Sequence, residues 1–425
     1  MPERYDVLVL GGGAAGCVVA ARLAERQARV GLVEAGPDYG PYEDGRWPAE
    51  MLDARTLPMT HLWEQDEDDR SSSRARIIGG CSAHNGAMVV RGEPRDYEWD
   101  EHWTYAALEP YLDGADARLG TLDTITATAA PWHGAACEAA AALGVPAGPL
   151  RANVRGGVRW NAAFAYLDPV RGRVDVLAET LVDRVDPPRV HTDRGVLEAD
   201  TIVLAAGAYG TPAILLRSGL GDELPVGANL IDHVGVGVGW EPSEACVRDT
   251  LAYEAGHGPV FEPYALVTPP DLHLIPWTTT GGTETSMPVF FLHPRSRGQV
   301  TLRSSDPGVP PAIEHGFLSD ERDIEPLVAG IELARRLVRT EPLSGYAGAE
   351  LRPAADDLHE FVRANVRGYF HPVGTCALGA VCDEHGRVLG HESLVVADAS
   401  FIPAIPRANT HLTVLAVAER IAESL

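Results

Sequence analysis

Within its first 34 residues the chain commits to one local architecture. Tyr5 to Leu10 (YDVLVL) is a short apolar run, as a buried parallel strand should be. Gly11-Gly12-Gly13-Ala14-Ala15-Gly16 follows and fits G-x-G-x-x-G. Cys17 to Gln27 carries apolar residues at helical spacing, and Arg29 to Glu34 (RVGLVE) reads as a second strand ending in an acid. Gly11 allows the tight turn, Gly13 lets backbone approach a pyrophosphate, and Gly16 lets helix and strand pack closely. The helix N-terminus then faces the phosphates, and Glu34 is placed to hold ribose hydroxyls. The set Gly11, Gly13, Ala14, Ala15, Gly16, Glu34 and Ala35 is thus a candidate dinucleotide site, and the acid disfavours a 2′-phosphate. The plainer alternative is a Gly-rich turn in an ordinary βαβ unit.

The same stretch invites a different reading. Val7 to Ala21 carries no charge and resembles the apolar core of a signal peptide, with Ala14-Ala15-Gly16-Cys17 like a lipoprotein cleavage box. Glu3 and Asp6 spoil the basic flank such a signal needs, and the run is too short and Gly-rich to span a bilayer. A cytoplasmic location with no membrane anchor is the expectation.

At ~150 residues per domain, 425 residues make two or three modules. Asp and Glu number 60 against 35 basic residues, a formal charge of −25 that argues against nucleic acid and anionic membrane surfaces as partners. No lysine occurs, which excludes a Walker A site, a Schiff base and any lysine nucleophile. Six cysteines form no C-x-x-C pair and fit a reduced chain. No metal-ligand spacing appears, so no metal is expected.

Later segments decide which dinucleotide. Residues 76–92 read RIIGGCSAHNGAMVVRG, 204–221 read LAAGAYGTPAILLRSGLG and 226–233 read VGANLIDH. Residues 371–379 read HPVGTCALG, and 395–420 read VVADASFIPAIPRANTHLTVLAVAER. Taken in order with Asp6-Val7 and Glu34-Ala35-Gly36-Pro37, these blocks are similar to the glucose–methanol–choline (GMC) oxidoreductase family. The resemblance implies an α/β fold, with a Rossmann-like FAD-binding domain and an inserted α+β substrate domain built on an antiparallel sheet. It implies FAD, a small-molecule alcohol, and dioxygen or another electron acceptor. The chain is shorter than most of the family, so trimmed substrate-domain loops are expected.

The FAD domain is expected to be discontinuous, over 1–130, 165–235 and 366–425. Residues 131–164 read as a connecting or cap segment and 236–365 as the substrate domain. Ile78-Gly79-Gly80-Cys81 offers small residues and free backbone N–H groups beside a flavin ring and pyrophosphate, and Asn85 a hydrogen bond to the ring's polar edge. Leu204 to Ala208 reads as a strand running into glycine, with Thr211-Pro212 opening a helix. Val174–Ala178 and Leu181–Val185 read as a small paired sheet, where the resemblance gives Val182 a backbone contact to adenine. Asp398-Ala399 ends the strand Leu394–Ala397, with the carboxylate toward a ribityl chain. Asp271–Trp277, Met287–His293 and Gln299–Arg303 read as substrate-domain strands, and Ile324–Val338 as an amphipathic helix. Glu64 to Arg70 reads as a solvated acidic loop.

Of 15 histidines two stand apart. His371 precedes Pro372-Val373-Gly374-Thr375, and His411 opens the last helical run, His411–Ala422. The resemblance places the catalytic His at the first position and its His or Asn partner at the second. Alcohol oxidation needs a base for the hydroxyl proton as the hydride moves to flavin N5, and an imidazole pKa of ~6.5 suits it. A second imidazole bonds the developing alkoxide, and the helix N-terminus behind His411 favours negative charge on the adjoining ring edge. Asn409 is an N-cap candidate or a flavin contact. Hydroxynitrile lyases and light-driven fatty-acid decarboxylases share the scaffold and stand as alternatives. His84, in Gly80-Cys81-Ser82-Ala83-His84-Asn85, is similar to the choline oxidase branch, whose His bonds covalently to the flavin 8α carbon; the plainer alternative is a His84 that packs or hydrogen-bonds near the ring. That branch has Ser where Gly86 stands and Asn where His411 stands, so choline itself is not carried over.

Overall fold

The computed structural model describes residues 4–63, 70–120, 129–260 and 265–425. The acidic run that begins at Glu64 lies outside them up to position 69. Strand β1 (Arg4–Leu10) lies parallel to β2 (Val30–Val33) on one side and to strand Gly195–Leu204 on the other. Val174–Leu177 continues the sheet beyond β2, and His391–Val396 continues it beyond Gly195–Leu204. Apolar runs that are buried on both faces suit parallel pairing. Helix α1 (Ala14–Glu25) follows β1 and packs against the last helix, Thr410–Glu423, so the two ends of the chain share one core. This is an α/β Rossmann-like layer drawn from segments far apart in sequence.

Two local expectations are corrected. Val174–Leu177 and Val182–Asp186 do not pair with each other: the first sits in register with β2, Val30 opposite Val174, and the second forms a hairpin with Arg189–Thr192. The backbone N–H groups of Glu179 and Thr180 donate to the carbonyls of Gly36 and Glu34, each at 2.9 Å, which holds the chain beside β2 instead of letting it fold back. The helix read as opening at Thr211-Pro212 begins earlier, at Gly207, and runs to Arg217 with Pro212 inside it. Proline has no N–H to give the carbonyl four residues back. That carbonyl, on Ala208, instead accepts the Thr375 hydroxyl at 2.7 Å.

A six-stranded antiparallel sheet forms the second layer. Its order is Arg367–Gly368, Val234–Val236, Val289–Phe291, Leu272–Leu274, Ala265–Val267 and Ala147–Pro149. The stretch 131–164, read as a connection, thus lends this sheet an edge strand. Asp271–Trp277 is not one strand. It breaks at Ile275-Pro276, and Trp277–Thr278 joins a separate four-stranded sheet, because proline cannot donate to a ladder. Helix Ile324–Val338 forms over its expected span and buries Leu327, Ile331, Ala334 and Leu337 on the six-stranded sheet. At its closest approach a Cβ on Gly330 would lie 2.3 Å from Val289 Cγ1. Two of these strands matter most for chemistry. Val234–Val236 leads directly out of Asp232-His233, and Arg367–Gly368 leads directly into Tyr369-Phe370-His371.

Candidate active site

The glycine loop packs against the strand-to-helix turn at Ala205. Gly11 has φ +107°, and a Cβ there would lie 2.6 Å from the Ala205 carbonyl oxygen. A Cβ on Gly16 would lie 1.8 Å from the Gly11 oxygen, so helix and strand meet only because it is bare. Gly13 differs, since no protein atom comes closer than 3.9 Å to the place of its Cβ. Its missing side chain leaves room at the helix N-terminus, beside Ala14 and Ala15, where backbone N–H groups favour anions. Gly80, at φ +52°, packs directly on Gly13, because a Cβ on it would sit 2.7 Å from Gly13 Cα. Glu34 is buried at the end of β2, where its carboxylate accepts N–H bonds from Gly12 at 2.8 Å and Gly36 at 2.7 Å. Burial pushes its pKa up to about 7 against the pull of those donors. Ala35 presents its carbonyl to Arg76 at 3.1 Å.

Gly80–Ala83 is one short 3-10 turn that leaves Cys81 exposed and sends His84 toward the loop before it. His84 Nε2 donates to the Thr60 carbonyl at 3.0 Å, so in the neutral ring Nδ1 carries the lone pair. Burial lowers its pKa, as does the nearby Arg159 charge. Arg159 had no sequence signal. It is fully buried, and its guanidinium donates to the carbonyls of Asn85, Met51 and Thr56, which ties the His84 loop to its neighbours. The Asn85 side chain turns back to accept the Ala87 N–H at 2.9 Å. Val182 is buried, and its carbonyl accepts from Arg217 at 3.3 Å. Asp398 spends its carboxylate within the protein. It accepts from Gly207 N, Thr211 Oγ1, Ser400 N and Ser400 Oγ between 2.6 and 2.8 Å, which clamps the start of helix Gly207–Arg217. Of this pair, only backbone and the Ala399 methyl are left to meet a ribityl chain.

His371 sits where the two layers join. The pairing of Ile231 with Val373, and the 3.0 Å bond from Tyr369 N–H to the His233 carbonyl, lay residues 230–234 against 369–373. Phe370 takes a left-handed φ of +64° and is exposed, while the rings of Tyr369 and His371 on either side of it meet at a tilt of 57° with centroids 4.4 Å apart. Asp232 Oδ1 accepts the His371 backbone N–H at 2.9 Å. His371 Nδ1 lies 3.0 Å from His233 Nδ1, and His371 Nε2 lies 3.2 Å from Asn409 Nδ2. Asn409 holds the N-cap position of helix Thr410–Glu423 but does not cap it with its side chain, whose amide nitrogen is turned to His371. His411 stands in the first turn of that helix.

Around this point lie buried polar atoms without protein partners: both ring nitrogens of His411, Asn409 Oδ1, the Tyr369 hydroxyl and His273 Nδ1. An unmatched buried polar atom costs about 1–3 kcal/mol, so several together mark a place built for something else to bind. Burial holds the pKa of His371 well below the usual imidazole value, and neighbouring His233 and His273 lower it further. Burial alone takes His411 and His273 down to about 4. The imidazoles are therefore neutral at neutral pH. Phe290 stacks on Tyr369 at 3.8 Å and 6°, and with Met88, Leu266, Ile275 and Leu292 it makes an apolar wall.

The structure thus brings His371 and Asn409 into contact, with His411 two residues on, while Gly13 leaves the N-terminus of α1 uncovered near the buried Glu34. These features fit FAD: a bare-backbone anion site, a buried acid for ribose hydroxyls, and orphaned donors and acceptors for the ring end. Sequence reading missed Asp232, His233 and His273. Asp232 and His233 close the block 226–233, but nothing in their spacing links them to a histidine 138 residues on.

Comparison with known proteins gives the family. The chain matches the GMC oxidoreductase family over residues 5–187 and 182–235 in its N-terminal part and 294–418 in its C-terminal part. It is 30% identical to the oxygen-dependent choline dehydrogenase of Burkholderia ambifaria over 536 aligned positions, covering 100% of this chain and 94% of that protein. The aligned span exceeds the 425 residues here, so the relative carries segments that this chain lacks. Human mitochondrial choline dehydrogenase is 29% identical, over 99% of this chain and 89% of its own. Pyridoxine 4-oxidase from Mesorbium loti superposes with a TM-score of 0.84 at 25% identity, over 99% of both chains. The chain belongs to the GMC oxidoreductase family and is an FAD-dependent oxidoreductase acting on an alcohol.

Proposed function

We propose that His371 is the base that takes the hydroxyl proton of the alcohol, at Nε2, and that His411 bonds the developing alkoxide. The observation that carries this is the neutral His371 ring, bonded on one edge to His233 and on the other to Asn409, among orphaned polar atoms. A neutral imidazole is competent as a base, and the N-terminus of helix Thr410–Glu423 favours negative charge beside it. FAD, when bound, supplies the hydride acceptor. Gly11, Gly13, Ala14, Ala15, Gly16, Glu34 and Ala35 would hold its ADP half, with Val182 against the adenine. Gly80, Cys81 and Asn85 would line the ring end, with the backbone of Asp398 and Ala399 toward the ribityl chain. The stacked Phe290–Tyr369 pair gives the body of the substrate an apolar surface, so the alcohol is of small or medium size and not densely charged.

Mixing the flavoprotein with candidate alcohols without air, choline and benzyl alcohol among them, tests this. Bleaching of the ~450 nm flavin band supports the reading. In His371→Ala, bleaching is expected to slow by roughly 10²-fold or more, the size usual for losing a general base. A variant as fast as wild type overturns the assignment, and release of cyanide from a cyanohydrin without bleaching favours a lyase. The acceptor is dioxygen or another oxidant, and the Burkholderia relatives are named as oxygen-dependent.

The reading includes a covalent bond from His84 Nδ1 to the 8α carbon of FAD, which would form as the 8-methyl group gives up a proton and the ring takes up the electron pair, dioxygen then reoxidising the reduced ring. Its support is a neutral ring whose Nε2 is tied to Thr60, leaving Nδ1 as the free nucleophile. Acid precipitation is expected to carry the yellow colour into the pellet and to add the cofactor mass to the His84 peptide. All colour in the supernatant, with an unmodified peptide, refutes the bond.

The locational expectation has one structural observation beside it. Among the described residues no helix is long and apolar enough to cross a membrane.

A further inference from the structure

We infer that His233 is a positioning residue that fixes the tautomer of His371, so that the nitrogen facing the site is always the one with the lone pair. The inference rests on the reading of His371 as the base and concerns what makes its ring ready.

A carbonyl can only accept. His233 Nε2 lies 2.9 Å from the Pro406 oxygen, so Nε2 must carry a hydrogen. A neutral imidazole has one N–H, so His233 Nδ1 is an acceptor. His233 is buried, and burial takes its pKa to about 3, so the neutral ring is the form present. The atom 3.0 Å away, His371 Nδ1, must then be the donor. With its hydrogen on Nδ1, neutral His371 has its lone pair on Nε2. Asn409 independently agrees, since its amide nitrogen, a donor, faces that same Nε2 at 3.2 Å.

The arrangement also serves the protonated state. Once Nε2 takes a proton, His371 still donates through Nδ1 to His233, so that hydrogen bond is kept and strengthened, while the new Nε2–H faces the Asn409 amide, which must turn its unpartnered Oδ1 to receive it. Neighbouring contacts fix the backbone from which each ring projects. Asp232 grips the backbone N–H of His371, and the His233 carbonyl accepts from Tyr369 N–H. Pro406 lies on the same loop that delivers Asn409 and His411, so one loop sets the tautomer and presents the partners. An imidazole free in water samples both tautomers and all ring orientations. Here a single carbonyl selects one.

Two substitutions separate chemistry from packing. His233→Leu keeps bulk and removes the acceptor, whereas His233→Asn places a carbonyl oxygen near the position of Nδ1. Anaerobic flavin reduction is expected to fall roughly tenfold or more in His233→Leu and to stay within about threefold of wild type in His233→Asn, with substrate affinity little changed in either. A second readout needs no variant of His233. Long-range ¹H–¹⁵N spectra of the ¹⁵N-histidine-labelled holoenzyme, assigned with His371→Ala, should show His371 protonated at Nδ1 and His233 at Nε2. His371 protonated at Nε2 overturns the inference. So does a His233→Leu enzyme as fast as wild type, or a His233→Asn enzyme as slow as His233→Leu. If His371→Ala is slow while His233→Leu is fast, this inference fails alone. If His371→Ala is fast, the base assignment fails first.

Discussion

His411 differs from His371 in having no hydrogen-bond partner on either ring nitrogen. It is therefore free to turn toward whatever binds, and an amide could offer a similar donor. His411→Asn is expected to slow flavin reduction less than His371→Ala does, by stopped-flow comparison of the two. Equal losses would mean that His411 also moves a proton. His273 gives a cleaner electrostatic test. It is buried beside Tyr369, and burial takes its pKa from about 6.5 to about 4. Between those values the unfolded chain holds a proton that the folded chain does not, so folding weakens as pH falls from 6.5 toward 4. The stability of wild type relative to His273→Gln should stay flat above pH 6.5 and decline by up to about 3 kcal/mol on acidification to pH 4. Urea titrations at both ends measure this, and a gap unchanged with pH would show that His273 is not buried neutral. Sequence made His371 and His411 visible because each sits in a motif. It left His233 and His273 hidden because a histidine in a strand or at its mouth looks like any other polar residue there.

At the scale of elements, contact distance decides what a substitution costs. Gly16 opens the second residue pair of α1, and its missing Cβ is what lets Gly11 sit beneath it at 1.8 Å from that position. No rotamer relieves a clash between a Cβ and a backbone oxygen. Gly16→Ala is expected to cost more than about 3 kcal/mol and to leave the purified protein colourless, read by melting and by the flavin absorbance. A yellow Gly16→Ala protein with an unchanged melting point would remove Gly16 from the cofactor loop. Helix Gly207–Arg217 shows how an element's start moves. The dipeptide Thr211-Pro212 is a fair start signal, yet Asp398, 191 residues downstream, satisfies the Gly207 N–H and pulls the start four residues earlier. In contrast, β1, α1, β2 and helix Ile324–Val338 form close to where periodicity put them. Their signals are local, within one or two turns or a few alternations of the chain.

Across the whole molecule, Arg407 joins the two layers. It bonds Asp271 Oδ1 at 2.6 Å and also reaches Asp96 and His293, so the loop before Asn409 is tied both to the turn Pro94–Asp96 and to the antiparallel sheet. The Asp96 side chain is fully buried, and without Arg407 its charge would be stranded. Arg407→Gln should destabilise the protein by about 3 kcal/mol, the range found when one partner of a buried pair is removed. It should also slow flavin reduction, because Asn409 and His411 ride on the same loop. Unchanged melting would show that the layers are held without it. What the sequence determined by itself was whatever a few neighbouring residues decide: the phosphate loop, the acid after β2, the family blocks and the two motif histidines. Tertiary structure alone decided which strands share a sheet, that Asp398 clamps a helix, and that a carbonyl at Pro406 sets a proton on His371 through His233. The last two depend on hydrogen bonds between residues 138 to 191 positions apart, and a bond of that range leaves no periodicity in the chain.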